Sequence, residues 1–306
     1  MKITLITVCF NSADVIRTAI ESVFSQRLST SDGSAIEVEY IVVDGASTDG
    51  TVEIIKEYGE RFHSPASAHD SDSITFRYIS ERDDGMYDAM NKGIRLSTGD
   101  VIGILNADDV LSSDDVLARV ASAFAADPAL DGTYADIRFV RDTEVSDDSC
   151  LPSAQSAGRR QAESSEICVS RSDLRLRSLP TLRYCTGRFF RPWQFRFGVQ
   201  TAHPSTFFRR SCFDRWGFYS LDYGMFGDFD LLCRFIWKNR ARMRYLPFCT
   251  TVMRAGGAST NGFASTKKIN AADLRVLRDN GYYSNLLFLY SRYLFKIWGF
   301  VFKKAN

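Results

Sequence analysis

The stretch Ile41–Thr51, IVVDGASTDGT, decides how the chain begins to fold. Three β-branched residues run into an aspartate. A turn of Gly, Ala, Ser, Thr and Asp then leads into EIIKEYGE, Glu53–Glu60, which is helical in pattern. β-Branched runs favour strands, and Ser, Thr and Asp favour turns and helix caps because their side chains bond nearby backbone groups. A capped strand-to-helix turn accounts for Ser47, Thr48, Asp49 and Thr51. It does not account for Asp44, a carboxylate at the tip of a buried strand.

The same unit recurs on either side. ITLITVCF, VIGILN and ITFRYIS read as further strands, apolar throughout. SADVIRTAIESVFSQ carries Val15, Ile16, Ala19, Ile20, Val23 and Phe24 at helical spacing, with Asn11 or Ser12 as its cap. MYDAMNKGIRLS and DVLARVASAFAAD are helices. Alternating strands and helices predict an α/β protein with a parallel sheet covered on both faces. Ligands of such sheets sit outside the carboxyl ends of the strands. Those ends carry Phe10 and Asn11, then Asp44, then Glu81, Asp83 and Asp84, and finally Asn106, Asp108 and Asp109. Carboxylates gathered in one crevice repel one another unless a cation joins them. A hard divalent ion does this and commonly bridges to substrate phosphates.

The bulk numbers agree with a globular enzyme-sized chain: 306 residues, 45% hydrophobic, 25% charged. A net charge of +1 gives no global pull toward nucleic acid, and none is expected as a partner. Between Arg171 and Arg210, however, nine arginines meet one acid, Asp173. That stretch is either a solvated, salt-bridged surface or a site for an anion such as a diphosphate or an acidic headgroup. Seven scattered cysteines with no CxxC pair argue against a disulfide framework or a zinc site and suit a reducing cytosol. No signal peptide and no apolar run of spanning length is visible. Residues 142–166 are polar and unpatterned and read as a flexible insertion. Near the end, Arg292, Lys296, Gly299 and Lys303 form one narrow helical stripe among aromatic and aliphatic residues. A helix over 282–304 lying in a membrane interface fits this pattern, and a terminal helix packed on the core is the alternative.

The runs TVCFNS, VVDGASTDGT, SERDDGMYDAMNKG, TGD and LNADD resemble family 2 glycosyltransferases. RPWQFRFG, HPSTFFRR, GDFDLLCR and MRAGGAST are similar to a bacterial capsule or exopolysaccharide branch of the colanic-acid type. No GxGxxG opens the first helix, so a plain dinucleotide-binding fold matches poorly. The resemblance implies a GT-A fold, a Rossmann-like, mostly parallel sheet flanked by helices and followed by C-terminal amphipathic helices. Its domain would cover 1–265, with a nucleotide-sugar half at 1–135 and an acceptor half at 167–265. A helical segment at 266–306 would follow. The implied reaction moves a sugar, with inversion, from a nucleoside-diphosphate-sugar to a hydroxyl of a glycan or polyprenyl-diphosphate-linked acceptor. It would run in the cytoplasm on the inner face of the membrane. By matched position, Thr7, Phe10, Asn11, Asp44, Asp83, Asn91, Asn106 and Ala107 would face the nucleotide-sugar, with Asp44 left free to hold the base or its ribose. Asn106-Ala107-Asp108 stands where the family has Asp-x-Asp, so Asp108 would carry Mn²⁺ or Mg²⁺, and Asp109 would be a second ligand or a helix cap, the cap being favoured. Asp228 would be the general base, with Asp230 supporting it or capping the helix. His203, Arg254 and Trp193 are candidates for diphosphate or acceptor contacts, although His203 reads equally as a buried structural residue and core packing is the favoured role of Trp193. Arg254 and Ser259 flank a Gly256-Gly257 pair suited to a hinge or a tight turn. A catalytically silent nucleotide-sugar-binding scaffold is the competing reading. The presence of both Asp108 and Asp228 favours the enzyme.

Overall fold

The computed structural model describes residues 1–63, 74–141, 174–255 and 262–292. The insertion expected at 142–166, the Gly256-Gly257 turn with Ser259, and the chain beyond 292 lie outside the described residues.

Strand and helix alternate through β1 (Lys2–Cys9), α1 (Ile16–Phe24), β2 (Glu37–Asp44), α2 (Thr51–His63), β3 (Ile74–Ser80), α3 (Met86–Leu96) and β4 (Val101–Asn106). The strands lie in the order β3-β2-β1-β4, all parallel, as crossover helices require. β1, β2 and β4 are buried almost from end to end. β3 is different: it forms the sheet edge, and of its seven residues only Phe76 is buried, so the expectation of uniformly apolar strands fails there. α1 buries Ile16, Ala19, Ile20 and Val23, the i, i+3, i+4, i+7 stripe of a helix covering a sheet. It starts later than expected. Neither Asn11 nor Ser12 caps it with a side chain. The Ser12 carbonyl instead accepts from the N–H groups of Val15 and Ile16.

After β4 the chain forms β5 (Val110–Leu111), α4 (Val116–Ala125), β6 (Gly132–Val140), β7 (Thr181–Cys185), β8 (Phe207–Arg209), α5 (Arg210–Trp216), α6 (Gly227–Leu232), β9 (Met243–Arg254) and α7 (Gly262–Asp279). β8 pairs antiparallel with both β4 and β6, and so joins the second half to the first. β9 runs parallel to β6 and antiparallel to β5, and β7 hangs antiparallel on β6. Among the described residues, one mixed, nine-stranded sheet therefore runs from the first half into the second. Its long ladders are mostly parallel. Its core lies on both faces, with Ile20, Tyr40 and Phe124 on one and Met90, Phe208 and Phe235 on the other.

α7 runs across the boundary expected at 265/266 and packs Val276 and Leu277 into the second core face. The following stretch is helical over 286–292. Tyr282, Leu289 and Arg292 are buried there. Ser284 donates to the Arg196 carbonyl at 2.6 Å and Tyr282 to the Trp193 carbonyl at 3.0 Å. Arg292, expected on a solvent stripe, is instead an internal strut. It donates to Asp273 at 2.8 Å, to Asn270 at 2.6 Å and to the Gly198 carbonyl at 2.8 Å. Gly198 has φ +65°, and a Cβ there would sit 2.0 Å from the Arg292 guanidinium, so this close approach requires glycine. The part of the expected interfacial helix within 282–292 is thus core-packed on one face. Tyr283, Leu286, Leu287 and Tyr290 remain exposed on the other.

Candidate active site

The sheet register brings the expected strand ends together. Cys9 lies opposite Asp44, Asp44 opposite Ser80, and Val8 opposite Asn106. Phe10 follows β1 with its ring 63% exposed, an apolar face at the mouth of the crevice. Asn11 follows with φ +48°, a left-handed conformation that Asn tolerates better than most residues. The DGASTDGT turn holds this loop in place. Ser47 accepts from the Asn11 N–H at 2.7 Å, Asn11 Oδ1 from the Thr48 N–H at 3.0 Å, Thr51 from the Ser12 N–H at 2.8 Å, and Asp49 from the Ala13 N–H at 3.0 Å. The crowded turn is therefore a clasp on the loop after β1 more than a cap for α2.

Asp44 belongs to the same clasp. Its carboxylate is fully buried and accepts from Ser80 Oγ at 2.7 Å, from the Ser47 N–H at 3.0 Å, from the Ser47 hydroxyl and from Cys9 Sγ at 3.6 Å. The expectation of a free carboxylate is corrected: Asp44 ties the ends of β1, β2 and β3 together. Thr7 is also internal. It is fully buried, and its hydroxyl accepts from Tyr40 Oη at 3.0 Å, so its side chain faces the core rather than the crevice. Asp83 does reach the crevice. A Cβ on Gly45 would lie 2.5 Å from Asp83 Oδ2 and 3.4 Å from the Phe10 ring. Phe10, Gly45 and Asp83 therefore form one wall. Asp83 also accepts from the Gly85 N–H at 2.9 Å, fixing the turn into α3.

Asn91 turns into the protein. It is buried in α3, donates to the Tyr219 carbonyl and accepts from the Tyr219 N–H, both at 2.9 Å. This two-point clamp holds a second-half loop onto a first-half helix.

At the end of β4, Asn106 donates to Asp109 Oδ2 at 2.9 Å, Ala107 is buried and Asp108 is half-buried. Asp109 leads into β5, well before α4, so it is not the expected helix cap. Burial, then the neighbouring Asp108 charge, pushes its carboxyl well above the usual range, against the Asn106 bond and Arg254. Its Oδ1 has no hydrogen-bond partner among the described residues. Arg254, at the end of β9, is brought toward this turn by the β5–β9 ladder. No cluster of three or more His, Cys, Asp or Glu suited to a metal occurs among the described residues. The donor set nonetheless fits a hard cation that takes its remaining ligands from phosphate and water. Asp108 is accessible, and the orphaned oxygen of Asp109 stands beside a like charge that a cation would offset.

Asp228 opens α6 and is half-buried. Its Oδ1 accepts from its neighbour's N–H, Phe229, at 2.8 Å and from Tyr87 Oη at 3.2 Å, and its Oδ2 from Gln200 Nε2 at 3.2 Å. Tyr87 stacks on Tyr219, with centroids 5.4 Å apart. His203 Nε2 lies 2.5 Å from Tyr219 Oη. Burial holds the His203 pKa below its usual value, against the pull of Asp228, so the ring is neutral at neutral pH. Asp230 has a different environment. It is buried, pairs with Arg234 at 3.1 Å and accepts from Asn280 at 2.9 Å, which makes it a structural anchor for α7. Trp193 is 56% exposed, edge-on to Phe197, and is not a core residue. Tyr87, Gln200 and Tyr219 carried no sequence signal of their own. Only the fold brings them to Asp228.

A family model described as Glycosyl transferase family 2 matches residues 4–169, more than half of the chain. A PGL/p-HBAD biosynthesis glycosyltransferase of Mycobacterium tuberculosis is 31% identical over 134 residues, 44% of this chain and 46% of that protein. The uncharacterized glycosyltransferase YibD of Escherichia coli is 29% identical over 108 residues, 35% of this chain and 26% of that protein. The matches thus span about half or less of these curated relatives. Among solved structures, the mannosyltransferase PcManGT from Pyrobaculum calidifontis, in complex with GDP-Man and Mn²⁺, aligns with TM-score 0.53 at 18% identity, covering 90% of this chain and 63% of that one. S. aureus TarS in complex with UDP-GlcNAc aligns with TM-score 0.52 at 15% identity, covering 90% and 67%. At these identities the likeness is one of fold, the GT-A arrangement of a mixed sheet flanked by helices.

Proposed function

Because the chain belongs to glycosyl transferase family 2, we propose that it transfers a sugar, with inversion, from a nucleoside-diphosphate-sugar to a hydroxyl of a glycan or lipid-linked acceptor of the bacterial surface. The observation that carries this reading is the pairing of two half-buried carboxylates with different surroundings. Asp108 sits at the end of β4 beside an orphaned buried oxygen, and Asp228 opens α6 with one oxygen held, among the described residues, by Gln200 alone. The donor's nucleoside lies against Phe10, Gly45 and Asp83, and Asp44 supports that wall from behind. Asp108, with Asp109 beside it, holds a divalent metal, which when bound offsets the charge that gathers on the leaving diphosphate. Asp228 Oδ2 takes the proton of the acceptor hydroxyl as its oxygen bonds to the anomeric carbon and the bond to the diphosphate breaks. Gln200 and Tyr87 aim that carboxylate.

No helix among the described residues is long and apolar enough to cross a membrane. The exposed face of Tyr283, Leu286, Leu287 and Tyr290 supports a peripheral contact with a cytoplasmic membrane surface, narrower than a whole helix lying in the interface.

The test is a nucleotide-sugar panel with Mn²⁺ or Mg²⁺. Asp108→Ala is expected to weaken metal-dependent nucleoside-diphosphate binding by at least about a hundredfold, since even outer-shell metal partners cost 10–100-fold, while the melting temperature holds. Undiminished activity of Asp108→Ala, or of the wild-type protein in excess EDTA, sinks the metal assignment. Gly45→Ala probes the opposite wall. The added methyl meets the movable tip of Asp83, so the stability cost should stay at the low end of overpacking, about 1 kcal/mol. Nucleoside-diphosphate affinity should fall several-fold. An unchanged affinity by calorimetry would place the nucleoside elsewhere.

A further inference from the structure

Two features next to Asp228 are unused by the donor chemistry. The first is a cavity of about 340 Å³ in the second half of the sheet. Ala135, Ile137 and Phe139 of β6 form one wall, and Phe189, Phe190 and Gln200 contribute to the others. Gln200 donates its amide N–H to Asp228, while its Oε1 is buried with no hydrogen-bond partner among the described residues. A buried amide oxygen without a donor is costly, and a hydroxyl entering this cavity would satisfy it.

The second feature is the rim. Several arginines of the basic stretch are absorbed by the fold. Arg177 donates to the carbonyls of Leu111 and Ser22, Arg209 to that of Leu130, and Arg210 to Ser97. Arg183, Arg188 and Arg191 stay at the surface, where Arg191 donates to the Phe190 carbonyl at 2.8 Å and Arg183 to Cys185 Sγ at 3.1 Å. All three are exposed, and none pairs with a carboxylate among the described residues. Arg183 lies over the Phe139 ring and Arg188 over Phe189, itself 70% exposed. Arg183, Phe139 and Phe189 also line the cavity.

We propose that this cavity and its arginine rim form the acceptor subsite, and that the acceptor carries a phosphate or diphosphate near its accepting hydroxyl. The assignment rests on the glycosyltransferase reading. Vicinal hydroxyls of a sugar ring fit the inner end: one donates to Gln200 Oε1 and its neighbour to Asp228 Oδ2. Guanidinium forks match phosphate oxygens bidentately, and the Phe139 and Phe189 faces hold two of the forks, those of Arg183 and Arg188, in place. Three exposed guanidiniums with no carboxylate partner among the described residues suit the several charges of a phosphoanion better than the single charge of a carboxylate.

Inorganic pyrophosphate is titrated by calorimetry into the full chain in EDTA, and UDP and GDP are titrated separately with Mn²⁺. The triple variant Arg183→Gln/Arg188→Gln/Arg191→Gln should bind pyrophosphate at least about tenfold more weakly, the usual scale of a lost charge-assisted pair, with Arg188→Gln alone intermediate. Nucleoside-diphosphate binding should be unchanged in both. Flotation with phosphatidylcholine vesicles, with and without phosphatidic acid, identifies the source. Loss of flotation together with pyrophosphate binding assigns a lipid-borne phosphate, and loss of pyrophosphate binding alone assigns a phosphoanion outside the bilayer. Equal pyrophosphate affinity in the wild type and both variants, with nucleoside-diphosphate binding intact, overturns the acceptor assignment alone. Arginine-dependent pyrophosphate binding without any nucleoside-diphosphate binding overturns the transferase reading, and the acceptor assignment with it.

Discussion

Asp228→Asn is expected to lower sugar transfer by roughly two to four orders of magnitude, the usual scale for a lost general base, with nucleoside-diphosphate binding preserved. The amide keeps the shape of the side chain. It keeps a carbonyl oxygen for the Phe229 N–H and Tyr87 hydroxyl that now meet Oδ1. What it cannot do is take a proton from an attacking hydroxyl. Asp230→Asn serves as the control two residues along. Asp230 is committed to Arg234 and Asn280, so its loss should appear in the melting curve rather than in the rate of folded enzyme. The two variants are compared by single-turnover transfer at saturating donor, with a thermal melt of each. A larger rate loss in Asp230→Asn than in Asp228→Asn would move the base to Asp230.

Arg292→Ala is the second large effect, and it concerns stability. Removing one partner of a buried ion pair typically costs about 3–5 kcal/mol, because the other charge is left uncompensated. Here the remaining charge would be Asp273, and the carbonyl of Gly198 and the amide of Asn270 would lose a donor as well. The effect has a pH signature. Burial raises the Asp273 carboxyl to about 6 in the native protein, although Arg292 opposes the rise. A carboxyl raised on folding contributes stability that is fully present below its ordinary pKa and is lost as pH rises through the folded value. In the wild type this loss falls between about pH 4 and 6. Without Arg292 the folded pKa rises further, so the window moves upward and the deficit shrinks on acidification. Denaturant melts at two pH values, one below and one above that window, measure it. Equal deficits at both would mean that Asp273 is not the group left stranded.

How far the sequence revealed the molecule follows the reach of its interactions. β3 and β4 match ITFRYIS and VIGILN residue for residue, because period and turn chemistry within a few residues specify them. β6 and β9 were not anticipated. GTYADIRFV and MRYLPFCTTVMR mix charge into their strands, and they are strands chiefly because they pair with each other across more than a hundred residues. The site divides in the same way. Phe10, Asp83, Asp108 and Asp228 stand at element ends and were legible as such. Asp44, Thr7 and Asn91 were misplaced because their neighbours decide their roles. Ser80 and Cys9 close around Asp44, Tyr40 covers Thr7, and the Tyr219 backbone claims both ends of Asn91. The choice of a core-packed over a free helix at 282–292 turned on Asp273, a partner no periodicity could name.

The Asn91–Tyr219 clamp and the Tyr87–Asp228 contact set a rule for recombination. Residues 4–169 match the family as a unit, which invites chimaeras that keep this stretch as the proposed donor half and graft on a foreign second half. Tyr87 and Asn91 lie inside that unit, whereas the groups they hold, Asp228 and the Tyr219 backbone, lie outside it. A crossover anywhere between β4 and β8 cuts both contacts at once. Such a hybrid would inherit a docked nucleotide and an intact base with nothing to aim one at the other. Exchanging the Tyr87–Asn91 turn of α3 along with the acceptor half restores the pairing, so the functional seam of the protein runs through a helix of its first half and not through the linker between halves.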